Sequence, residues 1–499
     1  MDTKSLIDQL NTLQRQMHAL GHAAGVLSYD AETIAPPAAS DARGETMGTL
    51  AKLEYELFIN PRTDELLSSL EAQSSQMPAA IAREVELLRR RYHDTACIPV
   101  EEFAAFVRLT NKANDVWHTA KQRSDFALYQ PYLEQLVEMS ARFARLRAPQ
   151  LQPYDQMLND YEEGLTTDYL QGYFARLKDE LVPLVHAIGQ AKQPDTSFLK
   201  GPFPVDKQRE LSRRVMALMQ VDSDRCILGE TEHPFTSGFN RWDVRVTTHY
   251  YEQELLSSLF SVIHECGHGL YELGIGEELQ YSVLSNITSM GMHESQSRLY
   301  ENMLGRSLPF ADQLLPMLQE LFPGSFKDVK DSMLHAALNV AKPDLIRVEA
   351  DELTYSMHIM VRFELERALF DGSLQVKDLP HEWNRLYKAY LGVDVPDDTR
   401  GVLQDIHWSM GSFGYFPTYS VGSAYGAQIY GAMAAEVDVP GALSRGDFGS
   451  INSWLGEHIH RHGALLKPAD ILKNATGAPF DVQHYIDYLK GKYTALYNL

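Results

Sequence analysis

The sequence predicts a mainly α-helical protein with a small β-sheet, on three observations. Helical periodicity dominates: from Thr3 to about Ile188 apolar residues recur at three or four, as in Leu6, Leu10, Leu13 and Met17, or Ile81, Val85, Leu88 and Tyr92. The clearest period-two segment is Arg241–Thr248, where Trp242, Val244 and Val246 alternate with Asp243, Arg245 and Thr247, as suits a strand with one buried face. A chain of 499 residues, 44% of them hydrophobic, can also bury a substantial core.

The helical pattern breaks at turn chemistry, at Ala35-Pro36-Pro37 and Asn60-Pro61-Arg62, where one helix ends and the next begins. The polar run from Gly189 to Gly201, rich in breakers, is either a long surface loop or a boundary. As a boundary it divides a single unit of residues 1–499 into an N-terminal helical lobe, about 1–190, and a catalytic part, about 200–499. Beyond the strand, Leu255, Leu256, Leu259, Phe260, Ile263 and Leu270 form an apolar stripe that predicts a helix from about Glu252 to Leu273, with Gly274 as its stop. Helical periodicity returns over about Pro343–Leu369, with Pro343 suited to a first turn, and over Leu379–Leu391.

Composition excludes some functions. Lys and Arg total 45 against 67 Asp and Glu, a net charge of −22, which argues against a nucleic-acid partner because phosphate binding needs a basic surface. Three scattered cysteines, Cys97, Cys226 and Cys266, suit a reducing compartment. The polar N-terminus lacks an apolar signal core and no long apolar run follows, so the expectation is a cytoplasmic protein with no membrane partner.

The stretch His264-Glu-Cys-Gly-His268 falls inside the predicted helix, so His264 and His268 share one face. Two imidazoles so placed can hold one zinc ion, and Glu265 beside the first can take a proton from the attacking water. A chain of this composition holds the HExxH pattern by chance with a probability on the order of 5%, so the pattern alone does not separate a metal site from two core histidines. Zinc needs a third protein ligand. Glu294, 26 residues beyond His268, is a candidate on a return helix, and His293 next to it competes. A second cluster, His458-Ile-His-Arg-His462, puts only His458 and His462 on one helix face and lacks a glutamate after His458, so it is not read as a hydrolytic site. Cys266 is read as a packing residue.

These motifs, with others in order along the chain, resemble the M32, thermostable-type metallocarboxypeptidases. The match is carried by His233-Pro-Phe235, Asp243-Val-Arg245-Val-Thr247, His264-Glu-Cys-Gly-His268, His293-Glu-Ser-Gln296, Ile346-Arg-Val-Glu-Ala-Asp351 and Gly401-Val-Leu-Gln-Asp-Ile-His-Trp408. Tyr29-Asp-Ala-Glu-Thr33, followed by Pro36, is similar too, with Tyr29 where a Trp is more usual. The resemblance implies zinc ligands His264, His268 and Glu294, Glu265 as general base, and a large helical subunit with a deep substrate groove. That subunit is similar to the neurolysin and angiotensin-converting-enzyme group, and the family is usually homodimeric. It further implies removal of C-terminal residues from peptides with broad specificity and resistance at proline.

An enzyme of that kind must recognise a free carboxylate, which a guanidinium does bidentately, and Arg347 and Arg400 are the candidates. Arg347 could instead form a helical i,i+4 pair with Asp351, and Arg400 could pair with neighbouring carboxylates. The tetrahedral oxyanion needs a donor, for which Tyr419, Tyr415 and His407 are eligible, with Tyr419 preferred. Asp243 and Arg245 read as an ion pair in the groove wall or, if their strand is an edge, as substrate positioners, and His233 as a further groove residue. Cobalt or manganese can replace zinc in such a site. Two alternatives stand beside this reading: a zinc oligopeptidase cutting internally and a catalytically silent peptide-binding protein.

Overall fold

The computed structural model describes residues 2–499. A succession of α-helices runs from Thr3 to Gln190. The helix Thr3–Thr33 ends before Ala35-Pro36-Pro37, and Pro61 opens the helix Pro61–Glu71, where the Asn60 side chain accepts the Thr63 N–H at 3.0 Å. Leu6, Leu10, Leu13 and Met17 pack with Leu67, Leu70, Val85 and Leu88 in a small core of their own. The main core extends from Ala113 to Tyr497, taking in Val185 and Ile188 before the irregular connection at 191–204 and Phe203 and Leu211 at its end and beyond.

Three strands form the sheet: β1 (Cys226–Glu230), β2 (Thr236–Asn240) and β3 (Asp243–Thr248), in the order β1-β3-β2, with β3 parallel to β1 and antiparallel to β2. The predicted strand is therefore present but central. This overturns its reading as an edge for a peptide, since neighbours occupy both sides of β3. It also buries more than one face: Thr247 and Thr248 are as inaccessible as Val244 and Val246, and the Thr247 hydroxyl is satisfied by the Phe235 backbone at 2.8 and 3.0 Å. Trp242, expected in the buried set, lies in the β2–β3 connection and is 43% exposed.

Against this sheet packs the histidine helix, Leu255–Gly274, which buries Leu255, Leu259, Phe260, Val262, Ile263, Cys266, Tyr271 and Leu273. At about 1.5–3 kcal/mol per large apolar side chain, that burial fixes its position firmly. The return helix, Met290–Arg298, is capped by Ser289, whose hydroxyl accepts the Met292 N–H, and runs on into a π-helical segment, Leu299–Leu304. The two helices touch at Gly267, where a Cβ would stand 2.8 Å from Ser297 Cα and 2.9 Å from Gln296 O. The helix Phe416–Glu436 closes on the return helix from its other side at Gly422, where a Cβ would lie 2.7 Å from Glu294 Cβ.

Two helical readings need correction. The helix expected from Pro343 begins at Glu352 and runs to Asp371, because the Asp351 carboxylate accepts the Leu353 and Thr354 N–H groups, both at 3.0 Å, and so caps it there. Residues 340–351 are irregular apart from a single turn at Arg347–Glu349. The helix Phe448–His458 ends at His458, so His458 and His462 share no helix face, and His460 instead turns inward to Gln296 Oε1 at 2.8 Å. The helix Leu379–Leu391 has the predicted bounds.

Candidate metal centre and substrate site

His264 and His268 leave the histidine helix one turn apart and face Glu294 on the return helix. The ligand atoms of the three all lie within 4.8 Å of one another, the only such grouping of His, Cys, Asp and Glu among the described residues. Tetrahedral coordination with bonds of about 2.0–2.2 Å separates donor atoms by roughly 3.3–3.6 Å. His268 Nε2 stands 3.4 Å and His264 Nε2 3.8 Å from Glu294 Oε2, so the donor set fits a small divalent cation with little adjustment. Glu294 Oε1 accepts Arg298 Nε at 2.7 Å, while Oε2 accepts the Ser297 hydroxyl at 3.1 Å and faces the two imidazoles with its remaining lone pair. Burial works against ionising Glu294, but Arg298 and then His264 outweigh it and hold this carboxyl well below its usual range. His293, the competing candidate, stacks on the His268 ring at 4.1 Å with its Nε2 3.3 Å from Glu272 Oε1, and lies outside the three-residue group.

Around the ligands is a charged layer that the motifs do not contain. His264 Nδ1 lies 2.9 Å from Glu301 Oε2, an arrangement that fixes the ring and leaves Nε2 for metal. Glu301 in turn accepts Arg298 Nη1 and Arg306 Nη2, both at 3.2 Å. It sits on the π-helical segment, a local irregularity that recurs at functional sites. His268 has no counterpart: its Nδ1 is buried without a hydrogen-bond partner, and stacking against His293 orients the ring instead.

Glu265 is 7% exposed, and its Oε2 accepts the Thr236 hydroxyl of β2 at 2.6 Å. Burial raises its pKa, opposed by His264 and by Thr236. The sheet thus anchors one oxygen of the candidate base and leaves the other free. Thr236 had no sequence signal of its own, since β2 lacks clear alternation.

Beyond Glu294 lies a group of tyrosines with a buried arginine. Arg347 is 6% exposed; its Nε donates to Asp405 Oδ1 at 2.9 Å, its Nη1 to the Tyr355 hydroxyl at 3.0 Å, and its backbone N–H to Gln404. The helical pair with Asp351 is absent. Asp405 is shared with Arg362, which is fully buried and donates Nε to Oδ2 at 2.7 Å. Tyr355 carries the Arg298 guanidinium over its ring at 4.4 Å, which joins this group to the ligand layer. Tyr419 lies beside Tyr355 and Tyr415, with ring centroids 6.1 and 5.2 Å away, and its hydroxyl is 3.4 Å from His407 Nε2. Burial and then Arg347 push the His407 imidazole down to about 4, so it is neutral near pH 7, while burial keeps the Tyr419 phenol protonated.

The remaining predicted residues lie outside this group. Arg400 is half exposed, and Asp397 Oδ2 accepts its Nε at 2.9 Å and its Nη2 at 2.6 Å. Asp243 and Arg245 form a bidentate pair, both contacts at 2.9 Å, with the guanidinium between the rings of Tyr29 and Phe239. His233 is exposed in the bend between β1 and β2.

The comparisons with known proteins agree with this geometry. The family model described as carboxypeptidase Taq (M32) metallopeptidase matches residues 9–493. The chain is 41% identical over 489 residues to carboxypeptidase 1 of Bacillus subtilis (strain 168), with 98% of each chain covered. It is 36% identical over 512 residues to thermostable carboxypeptidase 1 of Thermus thermophilus, with 100% of each covered. The crystal structure of the M32 carboxypeptidase from Deinococcus radiodurans R1 superposes with a TM-score of 0.96 at 33% identity, covering 99% of this chain and 100% of that one. With motifs, mainly helical fold and full-length similarity in accord, the chain belongs to the carboxypeptidase Taq (M32) metallopeptidase family.

Proposed function

We propose that this metallocarboxypeptidase releases single residues from the free C-termini of peptides, with zinc as its metal, Glu265 as its general base and Arg347 as its carboxylate anchor. The observation that carries this reading is one site in which the half-buried His264 and His268 converge with the buried Glu294, with Glu265 beside His264 and Arg347 joined to the ligand layer through Tyr355 and Arg298.

His264, His268 and Glu294 would hold a divalent cation, which would supply the Lewis acidity that makes a water more acidic and a scissile carbonyl more electrophilic. Glu265 takes the proton from the attacking water and returns it to the leaving amine. Thr236 occupies Oε2, so Oε1 handles the proton. Tyr419 donates its hydroxyl to the oxyanion, a contribution of roughly 2–4 kcal/mol. His407 is the weaker candidate because it is not an imidazolium at neutral pH, and Tyr415 supports Tyr419 through ring contact. Arg347 keeps Nη2 free of protein partners among the described residues, while Asp405 and Tyr355 fix the rest of its guanidinium to meet the substrate carboxylate.

Zinc is the assignment for this donor set, with cobalt or manganese as substitutes, and elemental analysis of the purified protein checks it. Three free cysteines support a reducing, cytoplasmic setting. Among the described residues no helix is long and apolar enough to cross a membrane. The homodimer rests on the family resemblance alone, and sedimentation velocity checks it. Arg400, His233 and the Asp243–Arg245 pair are carried as outer groove residues. The reaction is tested by mass spectrometry of a peptide digested by metal-loaded protein, chelated protein and Glu265→Gln. Stepwise loss of C-terminal residues, abolished by amidation of the peptide, is expected; equal cleavage of free and amidated peptides would instead make the enzyme an internal oligopeptidase.

A further inference from the structure

A cavity of about 220 Å³ opens between the helix Thr3–Thr33 and the far end of β2, lined by His18, His22, Phe239 and Tyr281 among others. We propose that this cavity receives an aromatic side chain of the peptide substrate, three or four residues upstream of the cleaved bond. The inference rests on the carboxypeptidase reading above and adds to it a second determinant of specificity.

One wall is built of rings with polar edges, and the facing wall carries the Glu54–Arg91 ion pair, closed at 2.7 Å, so that neither charge is left over for the occupant. His22 stacks on Phe239 at 5.3 Å and 8°, and His18 meets Tyr281 edge-on at 5.1 Å. Tyr281 holds a positive φ of 65°, a conformation costly for a bulky residue, and it is 38% exposed, so the fold maintains a strained backbone to present this ring. Gly25 admits the wall itself, since a Cβ there would lie 2.8 Å from the Phe239 ring. The volume is below the 300–1,000 Å³ of typical small-molecule sites and suits one large side chain. Offset and edge-on contacts with such rings favour an aromatic occupant over an aliphatic one of equal area.

The position of the cavity identifies its occupant. β2 starts at Thr236, on the candidate base, and reaches the cavity at Phe239, a span of about 10 Å at roughly 3.4 Å per residue, which an extended peptide covers in three residues. Arg347 connects to the metal site through Arg298 and Glu301, at the level of His264. Gly238 abuts Glu272, one turn beyond His268 on the same helix, so the cavity lies on the opposite side of the metal site from the carboxylate anchor. A peptide with its C-terminus at Arg347 therefore runs upstream toward Phe239.

The test is kcat/KM for a series of acetylated heptapeptides with a common C-terminal dipeptide and Phe, Ala or Glu at each upstream position, with a blocked tripeptide as a reference too short to reach the cavity. Phe at the third or fourth upstream residue is expected to exceed Ala by about tenfold. That ratio should fall toward one in His22→Ala and in Phe239→Ala, and recover in His22→Phe. Each ratio is taken within one variant against the tripeptide, so a general loss of active protein cancels. Equal rates for Phe and Ala in the wild type overturn the assignment, as does a preference that survives both alanine variants. Faster cleavage with Glu also overturns it, because Arg91, the arginine in the cavity wall, would then be reading charge. Failure to trim even the tripeptide would strike the carboxypeptidase reading, whereas trimming without upstream preference strikes the cavity alone.

Discussion

Replacing Glu301 by Gln should weaken metal binding without disturbing the fold, although Glu301 is no ligand. Its carboxylate lies against His264 Nδ1 at 2.9 Å and accepts Arg298 and Arg306 at 3.2 Å each. In this layer two carboxylates, Glu294 and Glu301, balance two guanidiniums, Arg298 and Arg306. The substitution leaves one uncompensated positive charge beside a divalent cation and weakens the acceptor that holds the His264 ring. Loss of such a partner costs 10- to 100-fold in metal affinity, about 1.4–2.7 kcal/mol. Because the glutamine oxygen can still accept one hydrogen bond, the lower half of that range is expected for Glu301→Gln and the upper half for Glu301→Ala. Competition against a chromophoric chelator measures the dissociation constant, and thermal unfolding of the metal-free protein monitors the fold. A dissociation constant within twofold of wild type in both variants would refute this view of the layer.

Glu265→Gln should retain metal while kcat falls by about 10²–10⁴, read by peptide digestion after metal loading. Arg347→Lys keeps the charge but loses the fork, so KM for free peptides should rise about tenfold or more and the discrimination against amidated peptides should shrink. Gly267→Ala forces a Cβ to within 2.9 Å of the return-helix backbone, and a fall in stability of about 1–3 kcal/mol is expected from denaturant titration. Burial, against hydrogen bonds from Trp408, Gly414 and Tyr154, leaves Glu366 raised to about 7 from 4.5. Its protonated form is favoured in the fold, so its stabilising contribution is complete below about pH 4.5 and is lost as pH rises through about 7, a change of about 3 kcal/mol. Glu366→Gln should flatten the fall in melting temperature between pH 5 and 8; parallel profiles would count against the assignment.

Much of this was legible because it is local. The spacing of His264 and His268 needs only a helix, and the apolar stripe supplies one. Glu294 follows from the order of motifs, but choosing it over His293 required the packing at Gly267 and Gly422 that sets the rotation of the return helix. Glu301, Thr236 and Arg362 were not legible at all. Each acts through a contact with a distant segment, and in Glu301's case through a π-helical turn that no periodicity announces. The helix expected from Pro343 was misplaced because apolar periodicity ran on past the capping aspartate, Asp351, whose bonds to Leu353 and Thr354 set the true start. Trp242 was misassigned because a β-turn can carry an aromatic residue in phase with the strand that follows.

The choice between Arg347 and Arg400 turns on charge in a buried place, and it bears on which bond is cut. Arg400 is 52% exposed and fully matched by Asp397, so it neither needs nor attracts another anion. Arg347 and Arg362 are buried and share a single carboxylate, Asp405, with neutral partners filling their other contacts. Asp405 is the one carboxylate in direct contact with either guanidinium, which leaves Arg347 short of negative charge in a site walled by Tyr355, Phe416 and Tyr419. An unmatched buried charge is costly, and the cost is relieved when an anion arrives. The terminal carboxylate of a peptide supplies that anion, whereas an internal segment presents only neutral amides there. In the function proposed above, the metal chemistry acts on the last bond rather than an inner one because binding at Arg347 neutralises a charge that the fold leaves unpaired.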